Sequence, residues 1–414
     1  MKYGLIGEKL SHSYSVEIHN LFGNGDYILK EIPVHELDDF FAKKDFQGIN
    51  VTIPYKEKVM KYLDYIDGAA KEIGCVNTVI NKDGKLFGYN TDFYGLKGLL
   101  SKNSISLSGK TVAILGTGGT SKTAYVVSKS ENAEKIYIVS RSPKSDNVIS
   151  YDKLYEIAEN IDVIINTTPS GMYPNDDDKV ISLDSFSKLS ALIDVIYHPL
   201  RTNLVTEAKQ KGIVSEGGLY MLVSQAQKAE ELFFDGKTQN DIESVYQQIL
   251  RAKQNIVLIG MPGSGKTTVG RLLSEKLDMD FVDADYEFIN KFGISISNYF
   301  QNHSEDEFRD EEEIIVSDIS KKTSTVISTG GGVIIRENNI KKLRRNGIIV
   351  FLDRPLEELT ATKGRPLTPD LDSIKKKYEE RYEKYKKAAD YTVYVDSTAT
   401  DAANKITDVL GYNK

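Results

Sequence analysis

The stretch Asn255–Gly270 (NIVLIGMPGSGKTTVG) constrains the fold of this chain more than any other. Its first part, Ile256–Ile259, is apolar and mostly β-branched, which predicts a buried parallel strand. Gly260–Thr267 follows at once and matches G-x-x-x-x-G-K-[ST], a pattern whose glycines let backbone N–H groups curl around an anion. We therefore expect a strand, a phosphate-binding turn and a helix whose N-terminus faces the same phosphates.

The side chains of this turn indicate a site for a nucleoside triphosphate and its metal ion. Lys266 can reach the β- and γ-phosphates, and the hydroxyl of Thr267 is a ligand for Mg²⁺. The residues predicted to contact ATP here are Gly263, Ser264, Gly265, Lys266, Thr267 and Thr268. A turn of this kind ordinarily opens its domain, yet about 250 residues precede it. We therefore expect two proteins in series.

Length and composition agree with that expectation. A chain of 414 residues exceeds one ordinary core, and its hydrophobic content of 40% is that of a globular protein. The net charge of −7 gives no indication of nucleic-acid or membrane binding. Because Cys75 is the single cysteine, no intrachain disulfide is possible, and a reducing compartment is favoured. We expect a cytoplasmic protein without a signal peptide or membrane span, of an oligomeric state that the sequence does not give.

In the first half, polar residues follow two predicted strands. Ser13 and Ser15 come after the strand Lys2–Ile6 and could hold a polyol or a carboxylate, although their spacing alone favours Ser15 as a helix cap. Lys56 follows the strand Gly48–Ile53, at the edge where α/β sheets bind ligands. Such a lysine can transfer a proton if burial lowers its pKa, and the alternative is a solvated surface lysine.

Asp92 has two interpretations. It lies in GYNTDFYG, directly ahead of a helical pattern, and could cap that helix. It could instead pair with Lys56 to give a charged couple suited to proton transfer.

A dinucleotide-binding turn is indicated by GTGGTS after the strand Thr111–Leu115, although Ser121 stands where G-x-G-x-x-G has its third glycine. The next strand, Ile136–Val139, completes the βαβ unit that such a turn requires. An NAD-binding chain usually has an acidic residue at the end of that strand. This chain has donors and cations there, which suit the 2′-phosphate of NADP: Ser140, Arg141, Ser142 and Lys144.

Taken together, HSYS, NVTIPYK, GCVNT, NTDFYG, GTGGTS, NTTPSGM and LVSQA resemble the shikimate dehydrogenase family over roughly residues 1–250. The resemblance implies NADPH-dependent reduction of 3-dehydroshikimate to shikimate, with Lys56 and Asp92 as the catalytic pair. It implies substrate contacts from Ser13, Ser15, Thr52, Asn77, Asp92, Tyr197 and Gln225. It implies cofactor contacts from Gly116, Thr117, Gly118, Gly119, Thr120, Ser140, Arg141, Ser142, Lys144, Val195 and Gly218. Val16 and Thr120 depart from the usual proline and alanine without removing a functional group.

In the second half, MDFVDADYEFI predicts a short strand ending in Asp283 and Asp285. Alternate residues of a strand face the same way, so both carboxylates can point at one site, although an acidic strand end is the plainer interpretation. Arg309 lies among acids and could simply make helical ion pairs. Ile348–Leu352 is predicted as the last buried strand, and TKGRPLTPD after it is typical of a mobile lid.

These segments resemble the shikimate kinase family over roughly residues 254–412, through GMPGSGKTTVG, DADYEF, FRDEE, STGGGV, GRPL and the ER…Y…AD pattern. The resemblance implies transfer of the γ-phosphoryl group of ATP to the 3-hydroxyl of shikimate, with Asp285 and Lys266 as catalytic residues. It implies that shikimate is held by Asp285, Arg309, Gly331 and Arg381, and that Arg365 joins the ATP site. Thr267 would bind Mg²⁺ directly and Asp283 through water. The segment VDSTATD lacks the adenine-side arginine of many members.

The sequence therefore predicts an α/β chain of two enzymes, in which the product of the first reaction is the substrate of the second. The small molecules that they require are NADP(H), ATP and Mg²⁺. Residues 1–252 would form a dehydrogenase, with a mixed α/β catalytic subdomain (1–90 and 226–250) and a Rossmann subdomain (91–225). Residues 253–414 would form a three-layer P-loop kinase domain. Three alternatives stay open: a quinate/shikimate dehydrogenase of loose cofactor choice, a kinase for another small acceptor, and a sensing or scaffolding role for one half.

Overall fold

A computed structural model describes residues 1–10, 13–143, 147–359 and 371–412. The chain divides into two compact units, Met1–Leu250 and Arg251–Lys414. Each unit is α/β, with parallel or mixed sheets covered by helices, which confirms the predicted fold class. Within the described ranges, no helix has both the length and the hydrophobicity that crossing a lipid bilayer requires.

The first sheet of unit 1 is mixed and has six strands in the order β2-β1-β3-β5-β6-β4. Strands β3, β5 and β6 pair antiparallel, while β2, β1 and β3 run parallel. The strands are β1 (Tyr3–Gly7), β2 (Tyr27–Glu31), β3 (Gly48–Val51), β4 (Tyr65–Ile66), β5 (Thr78–Lys82) and β6 (Lys85–Tyr89). The helices between them are α1 (Ser15–Leu21), α2 (Leu37–Lys43) and α3 (Gly68–Ile73).

The second sheet of unit 1 is wholly parallel, in the order β12-β11-β10-β7-β8-β9, which is the strand order of a Rossmann fold. Its strands are β7 (Thr111–Leu115), β8 (Lys135–Val139), β9 (Val148–Ile149), β10 (Val163–Asn166), β11 (Ala191–Asp194) and β12 (Val214–Glu216). The accompanying helices are α4 (Thr91–Lys102), α5 (Gly119–Ser130), α6 (Tyr151–Glu156), α7 (Asn203–Gln210), α8 (Leu219–Phe233) and α9 (Ile242–Lys253).

Unit 2 has one parallel sheet in the order β14-β15-β13-β16-β17. Its strands are β13 (Asn255–Ile259), β14 (Asp280–Asp283), β15 (Thr325–Ser328), β16 (Gly347–Asp353) and β17 (Tyr391–Tyr394). Its helices are α10 (Lys266–Leu277), α11 (Ala284–Phe292), α12 (Ile296–Tyr299), α13 (Glu305–Ser320), α14 (Glu337–Asn346), α15 (Leu371–Ala388) and α16 (Ala399–Val409). Successive residues of β13 enter the hydrophobic cores on opposite faces, so the sheet is the middle of three layers.

Strand β16 is buried as predicted for Ile348–Leu352, but the sheet has a further, mostly exposed strand that the sequence analysis did not predict. Strand β17 follows helix α15 and extends the sheet at its edge, pairing Val393 with Leu352. Val393 is buried, whereas the other three residues of β17 are exposed. The sequence YTVY has the β-branched and aromatic residues typical of a strand, but the analysis looked for buried aliphatic runs and therefore missed it.

Helices α4 and α8 of unit 1 approach each other at a glycine. An ideal Cβ on Gly95 would lie 2.7 Å from the backbone oxygen of Met221 and 2.9 Å from Cβ of Gln225. Leu96 and Leu99 on α4 join Tyr220 and Met221 on α8 in a core that also contacts the Rossmann sheet. Because Gln225 is a predicted substrate residue, this contact fixes the position of one site group.

The side chain of Asp194 holds the loops at the carboxyl ends of β10 and β11 in place. Buried Asp194 accepts hydrogen bonds from the side chains of Asn166 (3.1 Å) and Thr202 (2.7 Å) and from the backbone N–H of Ile196 (3.1 Å). Burial raises the pKa of Asp194 to about 6, although these three donors oppose the shift. The loop that begins at Val195 is therefore held by its own preceding carboxylate.

Replacing Gly95 with alanine should destabilise unit 1, although alanine is the better helix former. The added methyl group would overlap α8, and overpacking of this kind typically costs about 1–3 kcal/mol. The free energy of unfolding in urea measures the effect. Gly68→Ala at the start of α3 is the matched control, because its Cβ would meet nothing within 4 Å. Equal stability of the two variants would contradict the close contact.

Asp194 should give unit 1 a measurable pH dependence of stability. Because its folded pKa of about 6 lies above the ordinary value of 3.8, the folded state binds the proton more tightly. The resulting stabilisation is present below about pH 4 and is lost as the pH rises through about 6, by about 3 kcal/mol in total. Urea unfolding of the wild-type chain and of Asp194→Asn from pH 4.5 to 7.5 measures the difference. Parallel profiles would contradict it.

Candidate active sites

The first site centres on an ion pair at the carboxyl end of β3. Lys56 Nζ donates to Asp92 Oδ2 at 2.6 Å, and their side chains are 23% and 15% exposed. The helix α4 that carries Asp92 is capped instead by Asn90, whose side chain accepts from the backbone N–H of Phe93. The interpretations of Asp92 as a helix cap and of Lys56 as a solvated surface lysine are therefore wrong.

The ion pair with Asp92 determines the protonation state of Lys56. Desolvation lowers the pKa of this lysine, but the charge of Asp92 and the hydrogen bond to it outweigh the effect and raise the pKa overall. The condition considered from the sequence, a pKa lowered by burial, is therefore not met. Lys56 is consequently an ammonium group at neutral pH, which is the form that can donate a proton.

A buried hydrogen-bond network connects further predicted substrate residues to this pair. Asn77 Oδ1 accepts from the backbone N–H of Thr91 at 2.6 Å, and Thr91 Oγ1 donates to Gln225 Oε1 at 3.2 Å. Thr78 Oγ1 also contacts Asn77 Oδ1. Since Thr91 directly precedes Asp92, Asn77 and Gln225 are held beside the ion pair. The sequence analysis missed Thr78 and Thr91, whose only signal was their adjacency to predicted residues.

The two serines of the first loop contact each other. Ser13 Oγ donates to Ser15 Oγ at 3.0 Å and accepts from the backbone N–H of Ser15. Helix α1 begins at Ser15, and Tyr14, which precedes it, makes no side-chain capping hydrogen bond. The interpretation of Ser15 as a helix cap is therefore wrong, because Ser15 is the first residue of the helix. Thr52 lies nearby, since its N–H donates to the backbone oxygen of Ile6 at the end of β1.

The glycine turn after β7 is shaped for a phosphate group. Gly116 has φ +108°, and a Cβ there would lie 2.9 Å from Thr167 Oγ1. Nothing lies within 4 Å of a Cβ on Gly118 or Gly119, so both glycines border open space at the N-terminus of α5. The turn, which also includes Thr117 and Thr120, thus fits a pyrophosphate. Ser121, in place of the third glycine, donates to the backbone oxygen of Gly116.

The remaining predicted cofactor residues lie at the ends of β8 and β11. Ser140 and Ser142 form a turn through a 3.1 Å hydrogen bond, with Arg141 exposed between them, whereas Lys144 lies outside the described residues. A Cβ on Gly218 would lie 2.1 Å from the backbone oxygen of Val195. Gly218 therefore allows the loop after β11 to pack against the start of α8.

The second site is the phosphate turn of unit 2. Lys266 Nζ donates to the backbone oxygens of Gly260 and Met261, at 2.9 Å each. The buried hydroxyl of Ser264 has no hydrogen-bond partner among the described residues, so the turn offers a donor for a phosphate oxygen. Gly263 and Gly265 lie in the same turn, and Thr267 and Thr268 lie in the first turn of α10.

A position for Mg²⁺ lies beside this turn. Thr267 Oγ1 donates to Asp283 Oδ2 at 2.7 Å, while Asp283 Oδ1 caps α11 by accepting from the N–H groups of Asp285 and Tyr286. Over the ranges that the structure describes, no group of three His, Cys, Asp or Glu side chains could hold a metal ion. The hydroxyl of Thr267 and the carboxylate of Asp283 are oxygen donors of the kind that Mg²⁺ prefers.

The predicted acceptor pocket contains two buried arginines. Arg309 is 4% exposed and pairs with Glu312 at 2.8 Å and Glu305 at 3.0 Å, while its Nε has no partner among the described residues. The predicted helical ion pairs of Arg309 are thus present; the pair with Glu312 is buried, whereas Glu305 is partly exposed. Arg381 donates to the backbone oxygen of Gly331 at 3.1 Å. Arg365 lies outside the described residues.

Glu312 is a pocket residue that the sequence analysis missed. A Cβ on Gly330 would lie 2.8 Å from Asp285 Oδ1 and 3.1 Å from Glu312 Oε1, so the two carboxyl groups flank one glycine. Burial raises the pKa of Glu312, and Arg309 opposes the shift. The available signal was its spacing, because a residue three positions after Arg309 lies on the same helix face.

Comparison with known proteins finds a matching family model in each unit. A family model described as the shikimate dehydrogenase substrate binding domain matches residues 5–79, and one described as shikimate kinase matches residues 262–411. A shikimate dehydrogenase (NADP(+)) of Clostridium perfringens is 39% identical over 271 residues, covering 60% of this chain and 97% of its own.

Two solved structures share the fold of unit 1. A chorismate mutase/shikimate 5-dehydrogenase fusion protein from Clostridium acetobutylicum has a TM-score of 0.55 at 38% identity, covering 60% of this chain and 96% of that one. Shikimate 5-dehydrogenase from Thermus thermophilus, in complex with NADP(H) and shikimate, has a TM-score of 0.54 at 26% identity, covering 60% and 97%. Through unit 1 the chain belongs to the shikimate dehydrogenase family, and with a shikimate kinase domain as unit 2 it is a bifunctional enzyme of the shikimate pathway.

Proposed function

We propose that unit 1 reduces 3-dehydroshikimate to shikimate with NADPH through the Lys56–Asp92 pair, and that unit 2 phosphorylates the 3-hydroxyl of shikimate through Lys266 and Asp285. The observation that carries the first assignment is the 2.6 Å ion pair, beside which Asn77 and Gln225 are held by hydrogen bonds from Thr91, the residue before Asp92. The second assignment rests on buried Arg309 and Arg381, which contact the glycine segment 330–332 beside Asp285.

In the dehydrogenase reaction, NADPH supplies the hydride that reaches the ring carbonyl carbon. Lys56 donates a proton to the carbonyl oxygen as it becomes a hydroxyl, and Asp92 keeps the lysine oriented and charged. Asn77 and Gln225 offer amide groups to the ring hydroxyls, and the paired hydroxyls of Ser13 and Ser15 suit the carboxylate. The products are shikimate and NADP⁺, with one proton taken from Lys56 and restored from water.

In the kinase reaction, ATP with Mg²⁺ supplies the γ-phosphoryl group. Lys266 stabilises the negative charge that develops on the transferred group, and Asp285 orients the attacking hydroxyl and takes its proton. Arg309 and Arg381 hold the acceptor through its carboxylate. Two buried arginines suit any anionic acceptor, and the shikimate kinase family model over residues 262–411 favours a carboxylated polyol among them. Both active sites argue against a sensing or scaffolding half, because their charged groups are in place.

We further propose that this chain works in the cytoplasm, on small molecules and without a nucleic-acid or membrane partner. A net charge of −7 and a single, buried cysteine support this proposal.

Separate substitutions of the two lysines should divide the activities. Lys56→Met is expected to slow NADPH oxidation by at least about 100-fold, because the proton donor is lost, and to leave phosphorylation of added shikimate unchanged. Lys266→Met should do the reverse. A one-pot assay with 3-dehydroshikimate, NADPH and ATP–Mg²⁺, read by nicotinamide absorbance and mass spectrometry, measures both. In each variant the intact activity serves as the control, and loss of both activities would contradict independent sites.

Arg141 should set the preference for NADPH. Arg141→Gln is expected to raise the KM for NADPH by about ten- to 100-fold, since a charge-assisted hydrogen bond to the 2′-phosphate is lost, and to leave the KM for NADH unchanged. Lys135→Gln is the matched control, because it removes an exposed cation from the opposite end of β8. An equal effect on both cofactors would support the rival with loose cofactor choice.

A further inference from the structure

Tyr14 occupies the position between the two serines of the substrate loop. Its hydroxyl lies 3.2 Å from His198 Nδ1, within hydrogen-bond distance. Burial raises the pKa of Tyr14, so its hydroxyl stays neutral and can donate when Nε2 carries the imidazole proton. This contact connects the loop after β1 with the loop after β11, which belong to different sheets.

The two loops also pack through their aromatic rings. The rings of Tyr14 and Tyr197 have centroids 5.3 Å apart, and Tyr173 lies edge-on to His198 at 4.8 Å from the other side. Tyr14 and Tyr197 border a core with Ile18 and Leu219. The hydrogen bond therefore joins two loops that already pack against each other, and it fixes the position of one loop relative to the other.

The loop that carries His198 is fixed on its Rossmann side. Asp194 receives donors from Ile196 and Thr202, so the chain is anchored both before and after His198. Val195 packs directly against Gly218 at the start of α8. A hydrogen bond from Tyr14 to His198 consequently reaches a rigid point near the predicted cofactor residues.

We propose that Tyr14 and His198 are positioning residues of the dehydrogenase. Their hydrogen bond ties the serine loop, and with it the substrate carboxylate, to the loop beside the cofactor site. It thereby sets the distance over which the hydride passes. The inference rests on the proposed function of unit 1 and assigns these two residues no contact with the reacting atoms.

The test compares Tyr14→Phe, His198→Phe and the double variant in the full chain. Each single variant keeps an aromatic ring and should lower kcat for NADPH oxidation by about two- to tenfold, the range for one neutral hydrogen bond. The primary isotope effect with NADPH deuterated at the transferred position should rise, because hydride transfer becomes slower than the other steps. The double variant should lose no more than either single variant, since both remove the same bond.

Three controls separate positioning from folding. Tyr155→Phe removes another tyrosine hydroxyl bond of unit 1, to the N–H of Ser182, and should leave kcat and the isotope effect unchanged. Shikimate phosphorylation by the same chain reports on protein concentration. The KM for 3-dehydroshikimate, which only unit 1 converts, should change less than kcat.

Additive losses in the double variant, or an unchanged kcat and isotope effect in both single variants, would overturn the proposal. A fall in kcat that merely parallels a lower melting temperature would also overturn it. A wild-type chain that neither binds shikimate nor oxidises NADPH would overturn the proposed function and this proposal with it.

Discussion

Burial of both faces of the parallel sheets is the constraint on which the rest of this structure depends. In β7 and in β13, successive residues enter separate cores above and below the sheet, so neither strand has a face left for polar groups. Polar side chains can therefore appear only where strands end. In each sheet the carboxyl ends of the strands lie along one edge. Asp194 and the first phosphate turn lie at this edge in unit 1, and Asp283 and the second phosphate turn lie at it in unit 2. The chemistry of both units follows from that geometry.

Local patterns predicted the parts of the molecule that one segment determines by itself. The strand, turn and helix around Lys266 and the βαβ unit around Gly116 are segments of this kind, because backbone conformation and side chains come from adjacent residues. The Lys56–Asp92 pair was also foreseen, as one of two interpretations of Asp92. The structure decides between them because Asn90 already caps α4.

What the sequence did not predict depends on contacts between distant residues. The raised pKa of Lys56 depends on the charge of Asp92, 36 positions away, and not on burial alone. Strand β17 is short and mostly exposed, and its place in the sheet depends on the edge that β16 offers it. The contact of Tyr14 with His198 joins residues 184 positions apart, and although Tyr14 lies within HSYS, nothing in that motif indicates its partner.

The two sites handle charge differently. In unit 1 one cation and one anion lie together at a partly exposed edge, so the pair can exchange a proton with a ligand and recover it from water. In unit 2 the guanidinium of Arg309 is buried and already neutralised by Glu305 and Glu312. An incoming carboxylate therefore meets a cation with a negative partner, which limits the net gain in binding free energy but avoids the cost of an unpaired buried charge.

The double role of Asp283 restricts how unit 2 can diverge in evolution. One oxygen caps α11, the helix that carries Asp285, and the other oxygen contacts Thr267. Glutamate would keep the charge, but its longer side chain does not reproduce the capping geometry. Asparagine would keep the cap but lose the charge. A lineage that abandoned the metal could not freely vary this position, since the orientation of its acceptor-binding helix depends on the same carboxylate.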